Sequence, residues 1–203
     1  GNNYNYTYDT DTTGTITALP ITLTAVTDTK TYDGNTNSSK TPTISPSLVG
    51  GDTSNFVQTF DTKDVGTDKT LTPSGTVSDG NGGNNYSYTY DTDTTGTITN
   101  ATLTVTGIIA SDKTYDGTTS ATLNIAGAAL VGVIDTENVT LDTTGASGAF
   151  DTKDVDTGKT VTVSGLVLTG ADAGNYTLTQ PTTSASITAL PITVTAATDT
   201  KIY

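Results

Sequence analysis

Residues 83–99 read GNNYSYTYDTDTTGTIT, and residues 1–17 read GNNYNYTYDTDTTGTIT, the same stretch with one substitution. Within it, Tyr86, Tyr88 and Tyr90 alternate with Ser and Thr. A period of two puts the three rings on one face of an extended chain, and Tyr and Thr suit a pleated surface. The stretch therefore reads as β. Near-verbatim recurrence at a fixed interval also marks a tandem repeat, which organises everything around it. A looser copy, GNYTLTQPTTSASIT, begins at Gly174.

Other pieces recur in the same order. KTYDGNT (30–36) returns as KTYDGTT (113–119), FDTKDV stands at 60–65 and 150–155, and ALPIT stands at 18–22 and 189–193. Tyr32, Tyr115 and Tyr203 are 83 and 88 residues apart, whereas Phe60 to Tyr86 and Phe150 to Tyr176 are both 26. The extra length of the second copy thus lies earlier, around LDTTGASGA (141–149), which reads as a longer hairpin loop. The expected organisation is the end of one repeat (1–18), two whole repeats (19–100 and 101–189) and the first strand of another (190–203). The flanking pieces are too short to complete a domain between chains, so a longer tandem array is expected.

ITLTAVT (21–27), TLTVTGII (102–109), KTVTVSGLVL (159–168) and YSYTYDT (86–92) alternate Thr or Tyr with aliphatic residues. Asp-Gly, Asn-Gly and Gly-Gly pairs separate such runs, the pattern of a sandwich or small barrel. The fold class expected is all-β, as tandem small sandwiches, immunoglobulin-like or β-grasp-like, in an elongated array. SLVGGDTSNF (47–56) and LVGVIDTENV (130–139) are read as single helical turns before a strand. No flexible Gly/Ser tract separates Ile98 from Tyr115, which predicts a semi-rigid rod.

Composition excludes much chemistry. The 203 residues include 52 Thr, 20 Asp, one Glu and eight Lys, with no Arg, His, Cys, Met or Trp. Imidazole catalysis, thiol nucleophiles, disulfides and zinc sites of the usual kind are therefore absent. A net charge of −13 opposes nucleic-acid binding, which depends on Lys and Arg at phosphates. No apolar run approaches the length of a membrane helix. Val, Leu, Ile and Phe make up 40 of the 203 residues, a fraction near that of disordered chains, but their alternation with strand formers points to folding instead.

The ordered motifs resemble the YDG-type repeat domains of bacterial surface adhesins, including haemagglutinin-like secreted exoproteins. The order is Lys-x-Tyr-Asp-Gly-x-Thr, then Leu-Val-Gly with an Asp soon after, then FDTKDV, then GKTVTVSG (158–165), then GADAGNY (170–176). The segment 101–189 carries all five, while 19–100 reads TDKTLTPSG (67–75) and DGNGGNNY (79–86) for the last two. The resemblance implies an extracellular β-rich stalk or filament segment, at a bacterial surface or secreted, and names no ligand.

Several residues are candidate sites. Asp33-Gly34 and Asp116-Gly117 suit a tight type I′ turn with the preceding Tyr packed inward. DTDTTG at 9–14 and 91–96 resembles the start of a calcium loop with Asp9/Asp11 and Asp91/Asp93, but position twelve is Pro20 or Thr102 rather than Glu. A solvated turn is the simpler reading. Lys63, Lys69, Lys153 and Lys159, with Asn85 or Asn175 as acceptors, are candidates for intradomain isopeptide bonds. Thr102, Thr104 and Thr106, like Thr193 and Thr195, read as solvent faces of strands that are open to glycosylation, and their single short rows do not suit ice binding. Asp172, or Asp61 with Asp64, marks no cleft, so no catalytic, cofactor or metal residue is assigned and no enzyme is expected.

The whole repeats differ in apolar content: 101–189 holds 21 Val, Leu, Ile or Phe and 19–100 holds 14. At about 1.5–3 kcal/mol for each buried side chain, 19–100 should melt below 101–189. The function expected is a structural spacer whose partners are neighbouring repeats of the same chain. The second reading is a binding module for glycan or host protein, using Tyr4, Tyr6 and Tyr8 or Tyr86, Tyr88 and Tyr90 as an aromatic platform. Lateral pairing of Thr-rich edge strands into fibres is a third.

Overall fold

Within the two whole repeats, stretches of Thr alternating with an aliphatic residue, as at Ala101–Thr106 and Asp156–Ser164, form strands whose Thr side faces solvent. The computed structural model describes residues 1–203, with all of the regular structure β apart from one short 3-10 turn at Ala173–Asn175. The chain divides into two units, Gly1–Lys30 with Asn35–Ile98, and Thr31–Gly34 with Thr99–Tyr203. No helix is long and apolar enough to cross a membrane.

The first nine strands are β1 (Leu19–Thr24), β2 (Thr29–Thr31), β3 (Thr43–Ser45), β4 (Thr53–Ser54), β5 (Val57–Phe60), β6 (Gly66–Ser74), β7 (Val77–Ser78), β8 (Tyr86–Asp91) and β9 (Asp93–Thr99). They form three sheets in the orders β3-β1-β8, β2-β9-β6-β5 and β4-β7. Strand β1 lies parallel to β8, from Leu19 opposite Tyr86 to Thr24 opposite Asp91. Ile21 and Leu23 point from β1 into a core with Phe56, Val77 and Tyr86. Phe60, Leu71 and Ile98 are buried from the four-stranded sheet. Gly96 passes so close there that an added Cβ would lie 2.9 Å from the Lys69 carbonyl and 3.0 Å from the Phe60 ring.

The remaining strands are β10 (Ala101–Thr106), β11 (Ile109–Ala110), β12 (Lys113–Thr114), β13 (Ser120–Ala121), β14 (Leu123–Asn124), β15 (Ala129–Val131), β16 (Thr140–Asp142), β17 (Ser147–Phe150), β18 (Asp156–Ser164), β19 (Val167–Thr169), β20 (Tyr176–Leu178) and β21 (Thr182–Thr188). Their sheets are β15-β10-β20, β12-β21-β18-β17-β13, β11-β14 and β16-β19. Again the first strand runs parallel to a late one, with Ala101 opposite Tyr176 and Leu103 opposite Leu178. One core gathers Ala110, Phe150, Val161, Ala185 and Ile187, and another Val105, Val163 and Leu166.

Two local expectations are corrected. Residues 47–56 and 130–139 hold no helical turn, because Gly50, Gly51 and Gly132 take φ of 63°, 95° and 102°, outside the right-handed helix. The loop around 141–149 does not close a hairpin: β16 pairs with β19 and β17 with β18, so its turn carries the chain from one sheet to another. Residues 1–18 and 189–203 form no strand, although 190–195 repeat the β1 sequence with one change and 4–9 repeat that of β8 with one change. In unit 1 those strands exist by pairing with each other.

The two units fill one position differently. Gln58 on β5 is buried, accepting from the Val26 N–H (2.8 Å) and donating to the Val26 carbonyl (2.6 Å) and the Ser38 hydroxyl (3.1 Å). Beside it, buried Asp28 accepts from the Ser38 hydroxyl (2.7 Å) and the Ser39 N–H (2.9 Å). The matching residue on β17, two before Phe150 as Gln58 is two before Phe60, is Gly148. An added Cβ there would meet Leu123 at 2.8 Å, so an aliphatic side chain takes the space that the polar network takes in unit 1.

Candidate functional site

The tyrosines of β8 do not stand open together. Tyr86 is buried, donates to Asp52 Oδ2 (2.6 Å) and accepts from the Val49 N–H (3.0 Å). The hydrogen bond to the Asp52 carboxylate holds the Tyr86 phenol above its ordinary pKa, because ionising it would set two anions side by side. Tyr88 meets Phe56 edge-on at 6.5 Å, accepts from the Val77 N–H (3.0 Å) and donates to the Gly83 carbonyl (3.3 Å). Tyr90 stacks on Tyr88 at 6.1 Å, donates to the Gly75 carbonyl (3.0 Å) and remains 42% exposed. Of the three, the structure leaves Tyr90 open to solvent, whereas Tyr4, Tyr6 and Tyr8 are all exposed.

Unit 2 builds the same arrangement at Tyr176. Its hydroxyl accepts from the Ile134 N–H (3.2 Å) and donates to Glu137. Burial, with the Glu137 carboxylate next, pushes the Tyr176 phenol up to about 12. Tyr32, grouped in this unit, donates its own hydroxyl to Glu137 and lies edge-on to Tyr176 at 5.4 Å. Glu137, the one glutamate of the chain, is thus shared by two buried phenols.

The Asp residues mostly fold back on neighbouring backbone. Asp79 accepts from the N–H groups of Asn81, Gly83 and Asn85 at 2.8–3.0 Å. Desolvation pushes its carboxyl up, but those three donors outweigh it and hold the group below its ordinary value. Asp93 accepts from the Thr95 N–H (2.8 Å) and hydroxyl (2.7 Å), with Thr27 on its other oxygen, and Asp11 holds Thr13 in the same way. DTDTTG at 91–96 is thus not the turn expected: Thr92 alone separates β8 from β9, the Asp93–Thr95 bonds lie within β9, and no group of three or more acidic residues is placed to hold a metal ion. Asp116 accepts from Lys113 Nζ (2.8 Å) and from the Thr118 N–H (2.9 Å); the Lys113 ammonium, with Thr118, draws its carboxyl down to about 2.

The Tyr-Asp-Gly segments differ from the type I′ expectation. Gly34 and Gly117 have φ of 78° and 79°, but neither Asp33 nor Asp116 has the positive φ that turn needs at both central positions. Each forms an open bend after its strand. Lys159 is buried with Nζ on Thr152 Oγ1 (2.7 Å) and Asp151 Oδ1 (2.9 Å), and Lys69 Nζ similarly meets Thr62. The candidate acceptor Asn85 instead takes a hydrogen bond from Asn81 and sends its N–H to Asp79. Asp172 accepts from the Asn138 N–H and Asp61 from the Thr62 N–H. Thr102, Thr104 and Thr106 face solvent on β10.

A YDG domain model matches residues 16–95 and again residues 99–185. The chain belongs to the YDG domain family. No curated protein and no solved structure matches it. The two YDG domains share the Tyr–carboxylate pair but hold it with different acids, Asp52 in the first and Glu137 in the second. The sequence motif of Leu-Val-Gly followed by an Asp covers Asp52 in the first repeat, but in the second it points to Asp135, and the acid that Tyr176 uses is Glu137, two residues on. The available signal was an acid beyond that tripeptide and upstream of the Asn-Tyr motif in both repeats, with two candidates, Asp135 and Glu137, in the second.

Proposed function

We propose that the chain is a structural segment of an extracellular adhesin or surface fibre, in which tandem β-sandwich YDG domains act as a stalk. The observation that carries this reading is where the polar side chains go. Tyr86, Tyr88, Tyr176, Asp28, Asp79, Asp93, Asp116 and Lys159 all engage the chain's own turns and strands. Such groups would converge on an open pocket in a binding module or an enzyme. The acidic surface keeps neighbouring molecules apart in solution. Resemblance to adhesin repeats supports the bacterial, extracellular setting.

A second reading has one specific observation in its favour. The stacked Tyr88–Tyr90 pair leaves Tyr90 partly open, and an exposed ring is what a sugar face packs on. A glycan array probed with the 203-residue chain separates the two. The stalk reading expects no saturable binding, and binding that Tyr90→Ala abolishes would overturn it in favour of the platform.

A further inference from the structure

Two phenols of unit 2 meet at one carboxylate. Tyr32 and Tyr176 lie edge-on, their ring centroids 5.4 Å apart and their planes at 79°. Tyr32 donates its hydroxyl to Glu137 Oε1 and Tyr176 donates to Oε2, so both phenolic oxygens converge on the same group. The two residues are buried, 3% and 5% exposed. Each is held from a second side as well: the Tyr176 hydroxyl accepts from the Ile134 N–H, and the Tyr32 N–H donates to the Thr99 carbonyl at 2.8 Å.

A phenol that loses one electron becomes a strong acid and sheds its proton. Here each ring already has a proton acceptor in hydrogen-bond contact. The negative charge of Glu137 opposes ionising Tyr176 to a phenolate, and with burial it pushes that phenol up to about 12. It does not oppose a neutral radical whose proton has passed to the carboxylate. The chain also offers few rival electron donors, because it contains no Cys, Met, Trp or His. The other close tyrosine pair is built differently. Tyr88 and Tyr90 stack with planes 8° apart, and their hydroxyls donate to the Gly83 and Gly75 carbonyls, which take up no proton.

We propose that Tyr32 and Tyr176 form an oxidative cross-linking site, where a one-electron oxidant, hydrogen peroxide acting through a haem peroxidase, joins the two rings as dityrosine. Each phenol loses an electron to the oxidant and a proton through Glu137 to water, and one peroxide is reduced to two waters. The radicals couple carbon to carbon, each ortho to its hydroxyl, and the ortho hydrogens then move to the oxygens and restore both phenols. In the product the hydroxyls flank the new bond side by side, as Glu137 already gathers them, and the rings stand twisted, as the edge-on pair does. The bond fastens the Thr31–Gly34 segment covalently within unit 2 and constrains its unfolded chain as a disulfide would, in a protein that has no Cys. The inference goes beyond the stalk reading and does not depend on it.

Cleavage after Lys makes the test specific to this pair. It releases Tyr32 in residues 31–40 and Tyr176 in residues 160–201, with no other Tyr in either peptide. The 203-residue chain is treated in dilute solution with peroxide and a haem peroxidase, then cleaved and weighed by mass spectrometry. The expected product is a joined 31–40/160–201 peptide, lighter than the sum of its parts by two hydrogen atoms, and the oxidised chain should melt at a higher temperature. Tyr32→Phe should abolish the joined peptide, and so should oxidation in urea. Glu137→Gln keeps an acceptor for the hydroxyls but takes up no proton, and should lower the yield severalfold; circular dichroism checks that both variants fold. Dityrosine fluorescence shows that the oxidant has acted. Fluorescence without the joined peptide overturns the proposal, as does a yield that urea or Glu137→Gln leaves unchanged.

Discussion

Replacing Gln58 with Leu should destabilise unit 1 and leave unit 2 as it was. Gln58 completes the Val26 backbone as a strand would, taking its N–H at 2.8 Å and its carbonyl at 2.6 Å. Leu is similar in size and makes neither bond. Each unpaired backbone group costs about 1–3 kcal/mol when buried. Val26 is half-buried, so the low end applies to both groups, and the expected loss is about 2 kcal/mol, the lost bond to the Ser38 hydroxyl offsetting what Leu recovers by apolar burial. For a unit of this size, that corresponds to a fall in Tm of about 8–16 °C. Unit 2 is an internal reference, because its matching residue is Gly148 packed under Leu123. Calorimetry of the intact chain, with hydrogen exchange at the Val26 amide as the local readout, measures the effect. A shift below about 2 °C, or unchanged protection of the Val26 amide, would refute the claim that this side chain substitutes for a strand partner.

Acid should act on unit 1 through Asp28. Burial pushes its carboxyl up, but the donors from Ser38, Ser39 and Thr29 outweigh burial and hold it below the ordinary value. Its contribution is therefore complete above the unfolded pKa of about 4 and is lost as pH falls through the lower folded value, so a Tm profile from pH 6 to 2 should drop at the acid end and flatten in Asp28→Asn. Gly96→Ala should cost unit 1 about 1–3 kcal/mol, because the Cβ meets the Lys69 carbonyl at 2.9 Å. Gly14→Ala, the same letter in the first copy of the motif with nothing within 4 Å, should leave the melt unchanged. In an ultraviolet titration, one phenol should ionise near 12 and disappear in Tyr176→Phe. A transition near 12 that survives the substitution would show the assignment to be wrong.

Strand identity was legible because Thr and aliphatic residues alternate, as on β10, where Leu103 and Val105 are buried between exposed Thr residues. The pairing was not. Strand β1 finds β8 more than sixty residues away and parallel to it, and nothing in either sequence names the other. Pattern also failed on β5, where VQTF turns Gln58 inward with Phe60 and leaves Val57 exposed. A polarity reading would reverse that strand; its register is set instead by the bonds Gln58 makes to Val26, which belong to the tertiary structure. The Tyr-Asp-Gly segments misled for a similar reason. Asp-Gly favours type I′ geometry in an isolated hairpin, but Lys113 and Thr118 hold the Asp116 carboxylate in a wider bend. Tyr86, Tyr88 and Tyr90 were correctly placed on one face, and that face packs largely inward because three phenolic hydroxyls find acceptors there.

How a chain with so few large apolar residues folds at all follows from the same hydroxyls and carboxylates. Buried aliphatic side chains supply the main favourable term, and here they are few, such as Ile21 and Leu23 on β1 and Leu103 and Val105 on β10. The entropy lost in ordering turns must then be kept small. Asp with a Thr one or two residues on does this repeatedly, at Asp11–Thr13, Asp116–Thr118, Asp142–Thr144 and Asp151–Thr152, each carboxylate accepting a nearby N–H. Such turns hold their geometry locally and need no core beneath them. Asp also supplies the charge that keeps a Thr-rich β surface soluble. The acidity, the threonine content and the small core therefore form one solution: local carboxylate–backbone bonds fix the turns, Thr covers the outer faces, and a few aliphatic pairs hold the sheets together.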